Sequence, residues 1–327
     1  MKSVFRQGML TQERIVLVFA LVLFALYAVF LKGFLAPNNL VAILRSIAVL
    51  GILSVGMGIV VIGRGIDLSM VAVMAMATAW QLTMMNSGTP ALTATAITFG
   101  FVVLVGVANG VLIAYADVPA VFATLASGNF VFGLIRSRFI VQDAVPVPQD
   151  ATLLMDFGQA RLVGMPIEVI MFAAAALFAF LGLRYSKYGR YVYYQGDNYQ
   201  AARSMGLPVR PVVILQYVLS ALVAWLAGLV TAAGLQSINT RVVNSTLLYD
   251  VILVVVIGGI GLSGGKGGMR NVVVGALLIG IMLNGMTILD LPNIYQNLIK
   301  ASILLVALII DSRLNPRDEQ VGQQGDI

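Results

Sequence analysis

From residue 15 onward the chain alternates long apolar runs with short polar breaks rich in glycine and proline. A helix needs roughly 20 mostly apolar residues to cross a hydrocarbon core about 30 Å thick, because it rises about 1.5 Å per residue. Ten runs approach that length, at 15–35, 41–62, 68–85, 91–115, 119–140, 166–183, 211–233, 247–262, 272–289 and 298–310. The pattern predicts an all-α integral membrane protein of about ten transmembrane helices, built as a single domain over residues 1–327. What remains between the runs is loop, with no stretch large enough for a soluble catalytic domain.

Composition removes the soluble alternative. Only 10% of the residues are charged and 60% are hydrophobic, with a mean hydropathy of +0.96, whereas soluble chains are about 25% charged. Histidine and cysteine are both absent, so imidazole and thiolate metal sites, His-dependent nucleophilic triads and disulfides are excluded. No catalytic residue and no metal ligand set is expected. The first run follows Lys2, Arg6 and Arg14 as a signal peptide would, but it exceeds the usual apolar length of about 7–15 residues and no A-x-A site follows. It is read as a helix.

An even number of spans places both termini on one side, and the positive-inside rule selects the cytoplasm. Lys2, Arg6 and Arg14 then lie inside, as do Arg184, Lys187, Arg190, Arg203 and Arg210 of a loop at about 184–210, Lys266 and Arg270, and Arg313 and Arg317. The outside loop at about 141–165 holds Asp143, Asp150 and Asp156 against Arg161. The net charge of +6 thus follows membrane topology. Basic residues spread over several loops form no nucleic-acid groove.

Three motifs interrupt the apolar pattern. Residues 251–264 end in Gly259-x-Gly261-x-x-Gly264, a literal dinucleotide fingerprint, but the run before it is as long as a membrane span and the segment after it is apolar all round. Lys266 does not complete a phosphate loop, since Ile260 and Gly267 occupy positions that need Gly and Ser or Thr. The residues read instead as a tight cytoplasmic turn made by Gly258, Gly259, Ser263 and Gly264.

A similar turn ends the second run, with Arg64, Gly65, Asp67 and Ser69. Paired glycine-interrupted segments in two halves of a transporter point to gates, because unwound backbone at membrane depth must be buried or line a cavity. Asp67 is open to two readings, an N-cap of the third helix or a functional carboxylate at the membrane boundary. Arg64 is open to pairing with Asp67 or snorkelling to lipid phosphates. In the 184–210 loop, residues 198–205 read as a short helix ended by Gly206 and Pro208. Asn109, Thr124, Asn129 and Asn284 are polar positions within the spans, suited to lining a path for a polar solute or to bonding between helices.

The order of Gly65-Ile-Asp-Leu-Ser69, Ala108-Asn109-Gly110 with Val118-Pro119 and Phe122-Ala-Thr-Leu125, then YGRYVYYQGDN followed by AARSMG, then IGG-x-x-LSGG-x-G resembles the inner-membrane permease subunits of bacterial ABC sugar importers of the ribose/xylose/galactose type. The resemblance covers nearly the whole chain. It implies a multi-pass protein of the bacterial inner membrane that forms the pathway for a monosaccharide or related polar solute. It also implies separate ABC ATPase subunits that hold Mg-ATP, a second permease subunit in a homo- or heterodimer, and a periplasmic solute-binding protein, with no cofactor in this chain. By the same resemblance, Gln200, Ala201, Ala202, Arg203 and Gly206 form the coupling helix that docks on the ATPase. The chain departs from the family pattern with Arg64 at a glycine position, Gln200 in place of glutamate, and Leu248-Tyr249-Asp250 at the start of the eighth run. The competing reading is a stand-alone secondary transporter or channel for a small polar solute. It requires ion-coupling acids within the spans, and Asp67, Asp117, Asp250 and Asp290 lie mostly at their ends.

Overall fold

The computed structural model describes residues 12–162 and 164–314 of the chain, the side chains of 310–314 excepted. Lys2, Arg6, Val163 and Arg317 lie outside the described residues. The chain folds into helices α1 (Gln12–Phe30), α2 (Pro37–Ile62), α3 (Met70–Ala72), a π-turn (Val73–Ala77), α4 (Thr78–Asn86), α5 (Ala91–Ala114) and α6 (Ala120–Arg138). Then follow β1 (Ala144–Pro146), α7 (Thr152–Gln159), β2 (Arg161–Leu162), β3 (Met165–Pro166), α8 (Ile167–Tyr185), α9 (Lys187–Asp197), α10 (Tyr199–Ser204) and α11 (Val209–Leu235). The last elements are β4 (Ser237–Asn239), a 3₁₀ turn (Thr240–Asn244), α12 (Leu247–Gly258), α13 (Met269–Ile288) and α14 (Asn293–Leu314). Seven of these helices, α1, α2, α5, α6, α8, α11 and α13, are long and apolar enough to cross a membrane, and shorter apolar helices accompany them.

Each of the ten predicted runs falls on helix, with three differences. The first run stops at Phe30, because Gly33 takes a left-handed φ of +81° and residues 31–35 turn. The third is one helical stretch from Met70 to Asn86 interrupted by the π-turn. The eighth ends at Gly258, since Gly259 adopts φ +100°. At 12 residues, α12 is about 18 Å long and reaches only part-way through a hydrocarbon core of about 30 Å.

The core is built around α2, whose residues from Leu50 to Ile62 are buried without interruption. Helix α11 lies against α5 where side chains are missing. Any Cβ on Gly106 or Gly110 would run into the α11 backbone at Tyr217 and Val218 or at Ile214. Such small-residue spacing lets backbones approach in the absence of a hydrophobic driving force between helices. The π-turn packs on α11 in the same way, with Gly228 against the Met74 carbonyl and the Thr78 hydroxyl. Strands β1 and β4 pair antiparallel, and Asp143 beside them bonds Arg136 and Arg241, each at 2.6 Å. The 184–210 segment, expected as a loop around one short helix, is mostly helical. Ser186 caps α9 by accepting from the Gly189 N–H at 2.9 Å, and Val192, Gln195 and Gly196 are buried beneath it.

Candidate functional site

The two glycine turns lie at one face of the helical body and touch. In the first, Gly63 closes α2, and its Cα is pressed against the Gln216 side chain so closely that no Cβ fits. Arg64 follows in the left-handed region at φ +70°, a conformation that costs a residue with a Cβ roughly 1–2 kcal/mol. In the second turn, Gly259, Gly264, Gly265 and Gly267 all have positive φ, and the Asn271 side chain donates to the Gly258 carbonyl at 2.7 Å. The Gly265 N–H donates to the Ile62 carbonyl at 2.8 Å, joining the turns. Helix α1 begins at the same face, where the Gln12 side chain approaches Gly259.

Helix α9 ends in this junction. A Cβ on Gly196 would collide with the Ile62 carbonyl and the Gly265 amide, and one on Gly265 would meet Asp197. Gln195 donates to the Gly63 carbonyl at 3.4 Å and to the Gln216 side-chain oxygen at 3.3 Å. The Tyr193 hydroxyl donates to the Gly267 carbonyl at 2.9 Å. Burial pushes the Tyr188 hydroxyl well above its usual range, which keeps it protonated. Immediately beyond, Asn198 caps α10 by accepting from the Ala201 N–H at 2.9 Å. Gly206, at φ +78°, ends that short helix as expected. Gln200, Ala201 and Arg203 face solvent, while Ala202 is buried.

Beneath the first turn sits a polar cluster sealed from solvent. Asp67, Ser69, Asn109, Thr124 and Ser220 are each at most 1% exposed. The Asp67 carboxylate accepts from the Ser69 N–H at 2.9 Å and hydroxyl at 2.5 Å, and from the Ser220 hydroxyl at 2.7 Å. Asn109 donates to Ser69 at 3.1 Å, and Thr124 accepts from the Leu68 N–H at 3.1 Å. Tyr217 donates to the Ile66 carbonyl at 3.4 Å. Ser69 is the N-cap residue of α3, and Asp67, two residues before it, accepts from the cap's own N–H and hydroxyl. Among the described residues Arg64 makes no ion pair with it; the carboxylate turns inward to α11 instead.

The other polar candidates separate. Asn284 exchanges two hydrogen bonds with Asn39, at 2.9 and 3.1 Å, and thereby ties α13 to the start of α2. Asn129 lies exposed on α6, its amide bonded to the Leu125 carbonyl of its own helix. Ser263 is half-buried within the second turn. Sequence reasoning missed Ser220, Gln216 and Tyr217. The spacing of Gln216 and Ser220, four apart in an otherwise apolar helix, puts two polar groups on one face and was the available signal. It also missed two charge pairs, Lys300 with Asp250 at 2.9 Å and Arg45 with Glu168 at 3.2 Å.

Residues 39–308 match the family described as branched-chain amino acid transport system / permease component. The ribose import permease protein of Escherichia coli is 33% identical over 301 residues, which covers 91% of this chain and 92% of that protein. The galactofuranose transporter permease protein of the same organism is 34% identical over 274 residues, 83% of this chain and 79% of its own. The L-arabinose ABC transporter permease protein of Azospirillum brasilense is 32% identical over 321 residues, with coverage of 94% and 90%. No solved structure matches the chain.

Proposed function

The chain belongs to the family of branched-chain amino acid transport system / permease components, and from that premise we propose that it is the membrane permease subunit of an ABC importer for a monosaccharide or related polar solute. The sugar assignment is supported by relatives named for ribose, galactofuranose and L-arabinose import. The protein is a transporter subunit and not an enzyme; ATP hydrolysis takes place on partner ATPases. A solute-binding protein supplies the sugar from outside, and a second permease chain completes the pathway. The chain crosses the inner membrane ten times with both termini in the cytoplasm, so that the coupling helix α10 meets the ATPase there. Two shorter elements, the π-interrupted α3–α4 stretch and α12, act as discontinuous spans of the kind found beside transporter sites.

The observation that carries the mechanism is the wedging of Gly196, in the last turn of α9 and three residues before α10, between the Ile62 carbonyl and the Gly265 amide. A push on α10 by a closing ATPase pair acts through a rigid α9 on both glycine turns together. The first turn carries Asp67, whose bonds to Ser69 and Ser220 hold α3 against α11. Displacement of that turn loosens this clasp, and its re-formation closes the inner side again. Asn109 and Thr124 belong to the clasp, while Asn284 packs α13 on α2. Arg203 and Gln200 on the exposed side of α10 contact the ATPase by helix-in-groove docking.

Uptake measured in proteoliposomes tests the reading. Sugar accumulation is expected only with the ATPase subunits, binding protein and ATP all present. Accumulation by this chain alone under an ion gradient would establish the stand-alone transporter instead.

A further inference from the structure

A cleft of about 500 Å³ opens at the face that carries α10, between the end of α8, helix α9 and the start of α13. Arg184, Arg190 and Arg270 converge on it from those three elements, with Tyr193 and Tyr194 beside them. Among the described residues Glu13 of α1 is the one acid in its lining, and no ion pair joins it to these arginines. Phe180 sits where the basic cleft meets an apolar groove. Arg184 and Arg270 lie over its ring at 5.8 and 5.7 Å from the centroid. The groove continues from Phe180 along α8 and α13 past Ala176, Leu177, Val273 and Val274. Leu177, 56% exposed, is about 10 Å deeper along α8 than Arg184 at 1.5 Å per residue.

Positive-inside arginines that serve only topology have no reason to share one concavity or to stand above an apolar channel. Guanidinium groups match phosphate oxygens with paired N–H donors, and basic pockets between membrane helices suit anionic headgroups. We propose that this cleft binds an anionic phospholipid of the leaflet on the α10 side. Its phosphate lies against Arg184, Arg190 and Arg270, and one acyl chain fills the α8–α13 groove. The inference needs only that the chain crosses a bilayer and is independent of the solute carried. A soluble phosphate leaves the groove empty, and residues 315–327 offer only Val321 and Ile327 as large apolar side chains to fill it. The site sits where α9 meets the second glycine turn, so a bound lipid braces the junction that positions α10.

The test uses the full-length chain with its co-purifying subunits, the wild type beside an R190Q/R270Q variant. Native mass spectrometry after mild detergent exchange measures retained lipid, and thermal unfolding is followed with added phosphatidylglycerol, phosphatidylcholine or inorganic phosphate. The wild type is expected to retain phosphatidylglycerol and to melt higher in its presence, with no shift from phosphatidylcholine or from phosphate alone. The variant is expected to lose both the retained lipid and the shift while melting normally in phosphatidylcholine. A chain lacking residues 315–327 is expected to behave as wild type. Equal shifts from the two lipids, a shift from free phosphate, unchanged lipid retention in the variant, or loss of the effect on removing 315–327 would each overturn the proposal.

Discussion

The Ser220 hydroxyl donates to the Asp67 carboxylate at 2.7 Å, joining α11 to the turn that precedes α3. Both residues are fully buried. Replacing Ser220 with alanine removes a donor from a buried carboxylate, and a buried acceptor left unsatisfied costs about 1–3 kcal/mol. Thermal or denaturant unfolding in detergent is expected to show that loss, with uptake per folded complex reduced as well. An unchanged melting curve would mean that the clasp does not hold these elements together.

Arg64 holds φ +70° where the family pattern has glycine. Arg64→Gly removes the steric penalty of a Cβ in the left-handed region, so the variant is expected to be about 1 kcal/mol more stable. The melting temperature measures this directly. A lower value would show that the guanidinium makes a contact worth more than the strain.

Asn284 and Asn39 form a reciprocal pair. A double-mutant cycle to alanine is expected to return a coupling energy of about 0.6–2 kcal/mol, the range for polar contacts between membrane helices. Sugar flux per assembled complex should stay near wild type in Asn284→Ala. A specific fall in flux with unchanged stability would move Asn284 from packing to the solute path.

Lys300 and Asp250 are a buried pair, each side chain 9% exposed, with Thr246 accepting from the same ammonium at 2.7 Å. Lys300→Met alone strands a buried carboxylate and is expected to cost about 3–5 kcal/mol, whereas K300M/D250L together should be near neutral. Unfolding measurements on the single and double variants decide this. A double variant as unstable as the single one would mean that the pair is worth more than its desolvation.

The long apolar helices were legible because their signal is local, a run of apolar residues, seven of them long enough for a bilayer. The early end of α12 was misplaced, since Ile260 and Leu262 prolong the apolar run past Gly259; the glycines marked a turn there, and the backbone conformation fixes where the helix stops. Helix α9 was hidden by composition. Its Lys, Arg, Tyr and Gly residues read as loop, although Ser186 three residues before Gly189 was a usable cap signal. The resemblance pointed to α10 and both turns, and the spacing of glycines marked the turns independently. Their mutual contact through Gly265 and Ile62, and the wedging of Gly196 between them, are tertiary facts with no local signature. Ser220 was passed over because a single serine in an apolar helix ordinarily bonds its own backbone.

The most direct test of coupling through α9 is the ratio of sugar taken up to ATP hydrolysed in proteoliposomes containing the complete complex, for wild type and Gly196→Ala. The added Cβ meets the Ile62 carbonyl and the Gly265 amide, so it separates α9 from the two turns without touching the exposed face of α10. With assembly verified by size-exclusion chromatography, ATP hydrolysis is expected to continue while the ratio falls about tenfold or more. An assembled Gly196→Ala complex that imports sugar at the wild-type ratio would contradict the account.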